Sequence, residues 1–92
     1  MIVRISGEDQ YELADSEAGR LNELERKVIA IVDGGNADGF SEAYAALLDH
    51  VRASGTLLGD EDLRGSDIIL PPADVTFEEA GREFTGEGLI PD

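Results

Sequence analysis

The sequence contains no cysteine, which excludes disulfides, thiolate zinc sites and thiol chemistry. It has no apolar window approaching the ~20 residues of a membrane-spanning helix. Its start, MIVRISGED, lacks a basic end followed by a long apolar stretch, so no signal peptide is expected and the expected location is the cytoplasm. Positive charge is scarce. Seven Lys and Arg face 21 Asp and Glu, a formal net charge of −14, and Lys27 is the only lysine. A field of that sign repels nucleic-acid phosphates and anionic headgroups. Nucleic acid is therefore not expected as a partner, membrane contact is expected to be indirect if any, and encounter with a basic partner is favoured. The acids are spread along the chain, so they read as the solvated surface of a folded domain. Adaptation to a salty cytoplasm, where screening makes dense acid tolerable, gives the same pattern.

What is present suits one compact domain over residues 1–92, with 41% apolar residues for a core. At this size roughly two-thirds of the unfolded surface is buried, so a partner or self-association can add much of the stability. The pattern predicts an α+β fold: a small antiparallel sheet of about three short strands packed against a helical hairpin and a short C-terminal helix.

Ile2 to Ile5 reads as a strand and Gln10 to Ala14 as its return, with Tyr11 and Leu13 on one face and Gly7 in the four-residue connection. From Asp15 or Ser16, either able to cap, the period turns helical. Leu21, Leu24, Val28 and Val32 form the stripe, widened by Ile29 and Ile31, with Asn22, Glu23, Glu25, Arg26 and Lys27 opposite. Gly34-Gly35 is the stop. A second helix begins near Asp38, carries Phe40, Tyr44, Leu47, Leu48 and Val51 on one stripe, and ends at Gly55; so short a link predicts an antiparallel helical hairpin. Thr56 to Gly65 reads as an acidic loop anchored by Leu57, Leu58 and Leu63. Asp67 to Leu70 is the third strand, stopped by Pro71 and Pro72. Thr76 with Glu79 three residues on is a capping box, Val75 a weak staple, and Phe77, Ala80 and Phe84 share a face. Gly86 and Gly88 break this helix, and Leu89-Ile90-Pro91 is expected to dock on the body.

Few residues carry candidate chemistry. His50, the only histidine, lies at the flank of the apolar stripe, without the partners of a triad or zinc site. VDGGNADG has neither a GK[ST] ending nor GxGxxG and follows a helix, so it reads as a turn between helices. A calcium loop from Asp33 fails because its twelfth position is Tyr44. The acids Asp60, Glu61 and Asp62, and the pair Glu78 and Glu79, read as solvated or as helix-start residues. The arginines Arg4, Arg20, Arg26, Arg52 and Arg64 stand out on an acidic body, each able to pair internally or with a partner's acid. Tyr11, Tyr44 and Phe40 suit an interface core, although burial between the helices is the first expectation for Phe40 and Tyr44.

MIVRISGEDQYEL, LNELERKV, SDIILPPADVTFEEA and GEGLIP, taken in order, resemble the PspA-associated proteins of the PspAA type. These are encoded beside PspA-like phage-shock proteins in haloarchaea and actinobacteria. The likeness runs from Met1 to Pro91. It is most specific over Met1 to Leu13, Ser66 to Glu79 and Gly86 to Pro91, and generic in the helical middle. The resemblance implies an accessory protein of the membrane-stress system built around the coiled-coil PspA, with no catalytic motif, enzyme activity or cofactor to carry across.

The first functional reading is therefore an acidic adaptor that binds a PspA-like coiled-coil protein and modulates it, with Arg4, Tyr11, Tyr44, Leu89 and Ile90 as candidate contacts. A second is a regulatory or neutralising protein that binds a different basic partner, which requires acids spaced along one ridge. A third is a small hydrolase or metal-dependent enzyme, which requires at least two of Asp60, Glu61, Asp62, Asp67 and His50 to converge. Self-association is open, since an incomplete sheet leaves an edge.

Overall fold

The structure is a computed structural model and describes residues 1–58 and 65–84. The chain opens with β1 (Ile2–Ile5), β2 (Gln10–Glu12) and a 3-10 turn (Asp15–Glu17), followed by α1 (Ala18–Gly34) and α2 (Phe40–Ser54). Then come β3 (Thr56–Leu58), β4 (Ile68–Leu70) and α3 (Phe77–Glu83). The α+β expectation holds. The sheet itself needs correcting: among the described residues it has four strands in the order β3-β2-β1-β4, and it is mixed. β1 pairs antiparallel with β2 but parallel with β4, because the chain crosses over through both helices before β4 is laid down. The fourth strand, β3, lies where an acidic loop is expected; Thr56–Leu58 pairs antiparallel with β2. Leu57 is no anchor there, being 59% exposed. Leu63 falls outside the described residues.

Register places the side chains. Leu57, Tyr11, Val3 and Ile68 form one row across the sheet, and Val3 and Ile68 face the helices in the core. The alternate row, Leu58, Gln10, Arg4 and Ile69, lies on the opposite face. The β1–β2 connection is Ser6 to Asp9 with Gly7 at φ 79°, as expected.

The helical hairpin follows its apolar stripes. Leu21, Leu24 and Val28 of α1 pack with Phe40, Tyr44, Leu47, Leu48 and Val51 of α2 and with the inner face of the sheet. Gly35 closes α1 in the left-handed region at φ 73°, its N–H bonded to the Val32 carbonyl. The turn ends at Gly39, and the Asp38 N–H donates to the Asn36 side chain on the way. Two details of α1 differ from its sequence pattern. Neither Asp15 nor Ser16 caps it by a side-chain hydrogen bond. Asp15 instead accepts from the Met1 amine at 3.3 Å. Asn22 and Glu25 are buried rather than solvated, and Glu25 is partnered. α3 also packs against α1.

The segment after β4 behaves as its sequence suggests. Pro71 and Pro72 follow the strand, and Thr76 caps α3 in a complete capping box: its hydroxyl accepts from the Glu79 N–H and Glu79 accepts from the Thr76 N–H, both at 3.1 Å. Ala80 and Phe84 are buried, with Phe77 and Val75 packed against the same core. Four of the five aromatic residues interlock there. Phe40 stacks on Tyr44, Phe77 meets Phe40 edge-on, and Phe84 meets Tyr44 edge-on. Each such pair is worth about 0.5–1.5 kcal/mol beyond its area. The α3 helix stops at Glu83; Gly86, Gly88 and the Leu89-Ile90-Pro91 end lie outside the described residues.

Candidate docking surface

Arg4 is the first of the candidate contacts. It projects from β1 on the face away from the helices, is exposed, and makes no ion pair among the described residues. Among the other described arginines, Arg82 of α3 likewise makes no ion pair, and the remaining three show the contrast. Arg20 pairs with Glu23 at 3.1 Å, Arg26 is partnered, and Arg52 holds Glu8 and Asp49. Beside Arg4 in the register stands Ile69, 59% exposed although β-branched and apolar. Ile69 in turn lines a groove of about 160 Å³ with Leu70, Pro71, Pro72 and Val75, and with Glu79 and Glu83 of α3.

The remaining candidates do not join Arg4. Tyr11 lies in the row on the opposite face of the sheet, half-buried on the core beside Leu57. Tyr44 is buried, as first expected for it: it is 2% exposed, and its hydroxyl donates to the Pro71 carbonyl. Burial, and secondarily the nearby Glu8 carboxylate, hold its phenol well above the ordinary value of 10.0. Its ring reaches only the floor of a second depression, about 120 Å³, on the far side of Val75. Leu89 and Ile90 lie outside the described residues, as do Arg64 and the acids Asp60, Glu61 and Asp62.

His50 sits at the boundary, as expected, bridging to Glu17 at 2.8 Å. Ser54, one turn on, is a neighbour that sequence reading passed over. Its hydroxyl stands 3.4 Å from Nε2 and 3.5 Å from Nδ1 of His50, while Glu17 occupies that same Nε2. An oxygen nearly equidistant from both ring nitrogens lies along neither lone-pair axis, so this trio lacks the relay geometry of a triad. Asp67 is engaged elsewhere, accepting from the Ile2 N–H at 2.8 Å. No group of three His, Asp or Glu among the described residues is placed to hold a metal ion.

Arg4, without an ion pair among the described residues, thus stands beside an exposed aliphatic side chain and an acid-lined groove. The family model for PspA-associated proteins matches residues 1–92, the whole chain. The chain belongs to that family. The resemblance carried by the strand, Pro-Pro and capping-box motifs is thereby borne out. No curated protein and no solved structure matches the sequence. This PspA-associated protein thus belongs to an accessory family linked to PspA. No helix among its described residues is long and apolar enough to cross a membrane.

Proposed function

We propose that this PspA-associated protein is a non-enzymatic, cytoplasmic acidic adaptor. It binds the PspA-like coiled-coil protein of its own cell and modulates the membrane-stress response. The observation that carries this reading is the whole-chain family match. Arg4 and Ile69, exposed side by side on the sheet face away from the helices, support it by offering a surface with both charge and apolar area. The acidic field sets orientation and encounter rate, and the apolar patch supplies affinity. Binding to a different basic partner through an acidic ridge fits less well. Many described acids are committed internally, Glu8, Glu17, Glu23, Asp49 and Asp67 among them.

The test is direct binding between the two purified proteins over a salt series. Saturable binding that weakens on Arg4→Ala supports the adaptor, and its salt slope reports the share due to charge. Tyr11→Ala, on the opposite face, tests whether the partner wraps the β3 edge as well. Two folded proteins that fail to associate at any salt concentration would sink the reading.

A further inference from the structure

We infer that the groove beside Ile69 receives the apolar side chain of an amphipathic helix whose lysine or arginine residues, spaced one turn apart, meet Glu79 and Glu83. This rests on the adaptor reading and adds to it the surface used and the chemistry of the partner.

Size decides what the groove can hold. At about 160 Å³ it falls below the ~300–1,000 Å³ of sites that enclose a small-molecule ligand. It suits one inserted side chain. Its lining is apolar where that side chain would rest, with Leu70 and Pro71 buried, and Ile69 offers an aliphatic lip. The walls are preorganised. Two prolines restrict the backbone, the Tyr44 hydroxyl holds the Pro71 carbonyl, and the Thr76–Glu79 box fixes the start of α3. A guest therefore meets a formed site and orders little of it.

Charge decides the kind of guest. Glu79 and Glu83 are four residues apart on α3 and both line the groove. That spacing puts their side chains about 5–6 Å apart along the helix surface, which cations at i and i+4 of a neighbouring helix match. Glu83 makes no ion pair among the described residues, and Glu79 spends one oxygen on the Thr76 N–H while keeping its charge. Arg4, beside Ile69 and also unpaired among the described residues, accepts an acidic side chain of the same helix. A second copy of this chain is the poorer occupant, because it brings its own net charge of −14 against the same field.

The test uses the full-length chain and the purified PspA-like protein of the same cell. Affinities are compared for the wild type, Ile69→Glu, Glu83→Lys and Glu42→Lys, with circular dichroism verifying the fold of each. Glu42 is exposed on α2 and its reversal changes net charge by the same amount as that of Glu83. The expected result is at least about a tenfold loss for Ile69→Glu and a loss for Glu83→Lys several times that for Glu42→Lys. Wild-type affinity in all three variants overturns the groove and leaves the adaptor reading standing. Equal weakening by the two lysine variants overturns the basic pair. No binding by the wild type overturns both readings. Self-association of the wild type that Ile69→Glu abolishes assigns the groove to a second copy and overturns the helix.

Discussion

The guanidinium of Arg52 grips the carboxylate of Glu8 from across 44 residues, with Nη2 at 2.7 and 3.0 Å from its two oxygens and Nε at 3.2 Å from one of them. Nη1 turns the other way, to Asp49 at 3.1 Å. The pair ties the β1–β2 turn to α2. Hydrogen bonding to Glu8 is the main cause that raises the Arg52 pKa above its ordinary value.

Both side chains are about one-third exposed, so solvent screens the pair and its worth is modest. Glu8→Gln is expected to lower stability by about 1 kcal/mol at low salt, read from urea midpoints. The deficit should narrow at ~1 M salt, where the Debye length is about 3 Å. Arg52→Lys should not restore the wild-type value, since an ammonium cannot make the forked contact.

Tyr44→Phe removes the donor to the Pro71 carbonyl and should cost about 1 kcal/mol at neutral pH. The pH profile gives a second readout. Because the folded phenol has a raised pKa, the stability tied to its protonated form is complete below the unfolded value of 10.0 and declines as pH rises beyond it. Wild-type stability should therefore fall above pH 10, and the phenylalanine variant should lose that part of the slope. Urea titrations at neutral pH and above pH 10 make the comparison.

Thr76→Ala should fray α3 and cost about 1 kcal/mol, loosening Phe77 and Phe84 at the edge of the aromatic cluster. Glu79 has its pKa depressed below 4.5 chiefly by the Thr76 backbone N–H. Its contribution is present above pH 4.5 and disappears as pH falls through the lowered value. Glu79→Gln should flatten that portion of an acid-unfolding curve. Amide exchange at residues 77–80 reports the fraying directly.

Gly55→Ala tests a close approach. A Cβ there would stand 2.7 Å from the Val51 carbonyl oxygen, 2.8 Å from the Tyr11 Cβ and 3.1 Å from the Leu13 Cδ1. Two of these atoms belong to backbone or the root of a side chain and cannot swing aside. A loss of about 1–3 kcal/mol is expected, with the thermal midpoint as the measurement.

The helices were legible because their signals are periodic and their ends carry chemistry: the Phe40-to-Val51 stripe, Gly35 and the Thr76–Glu79 box each act locally. What the sequence hid depends on partners distant along the chain. Thr56–Leu58 is too short to show a period and becomes a strand by pairing with β2, which Gly55 approaches closely. The parallel register of β4 has no local signature, since Ile68–Leu70 suits either direction. Glu25 looked solvated on α1, yet it is buried and partnered. Of the candidate contacts, Arg4 was readable as an exposed strand residue. Its neighbour Ile69 was not, because only the register across β1 and β4 sets an apolar side chain beside it.

The crossover that gives β4 its place has a consequence for synthesis. Until residue 70 has left the ribosome, β1 has β2 on one side and nothing on the other, so the growing chain carries a bare strand edge beside Ile2, Val3 and Ile5. Such edges recruit other chains. The last strand laid down is thus the one that shields the first, and a chain stalled before it should be the sticky species, whatever the finished protein binds.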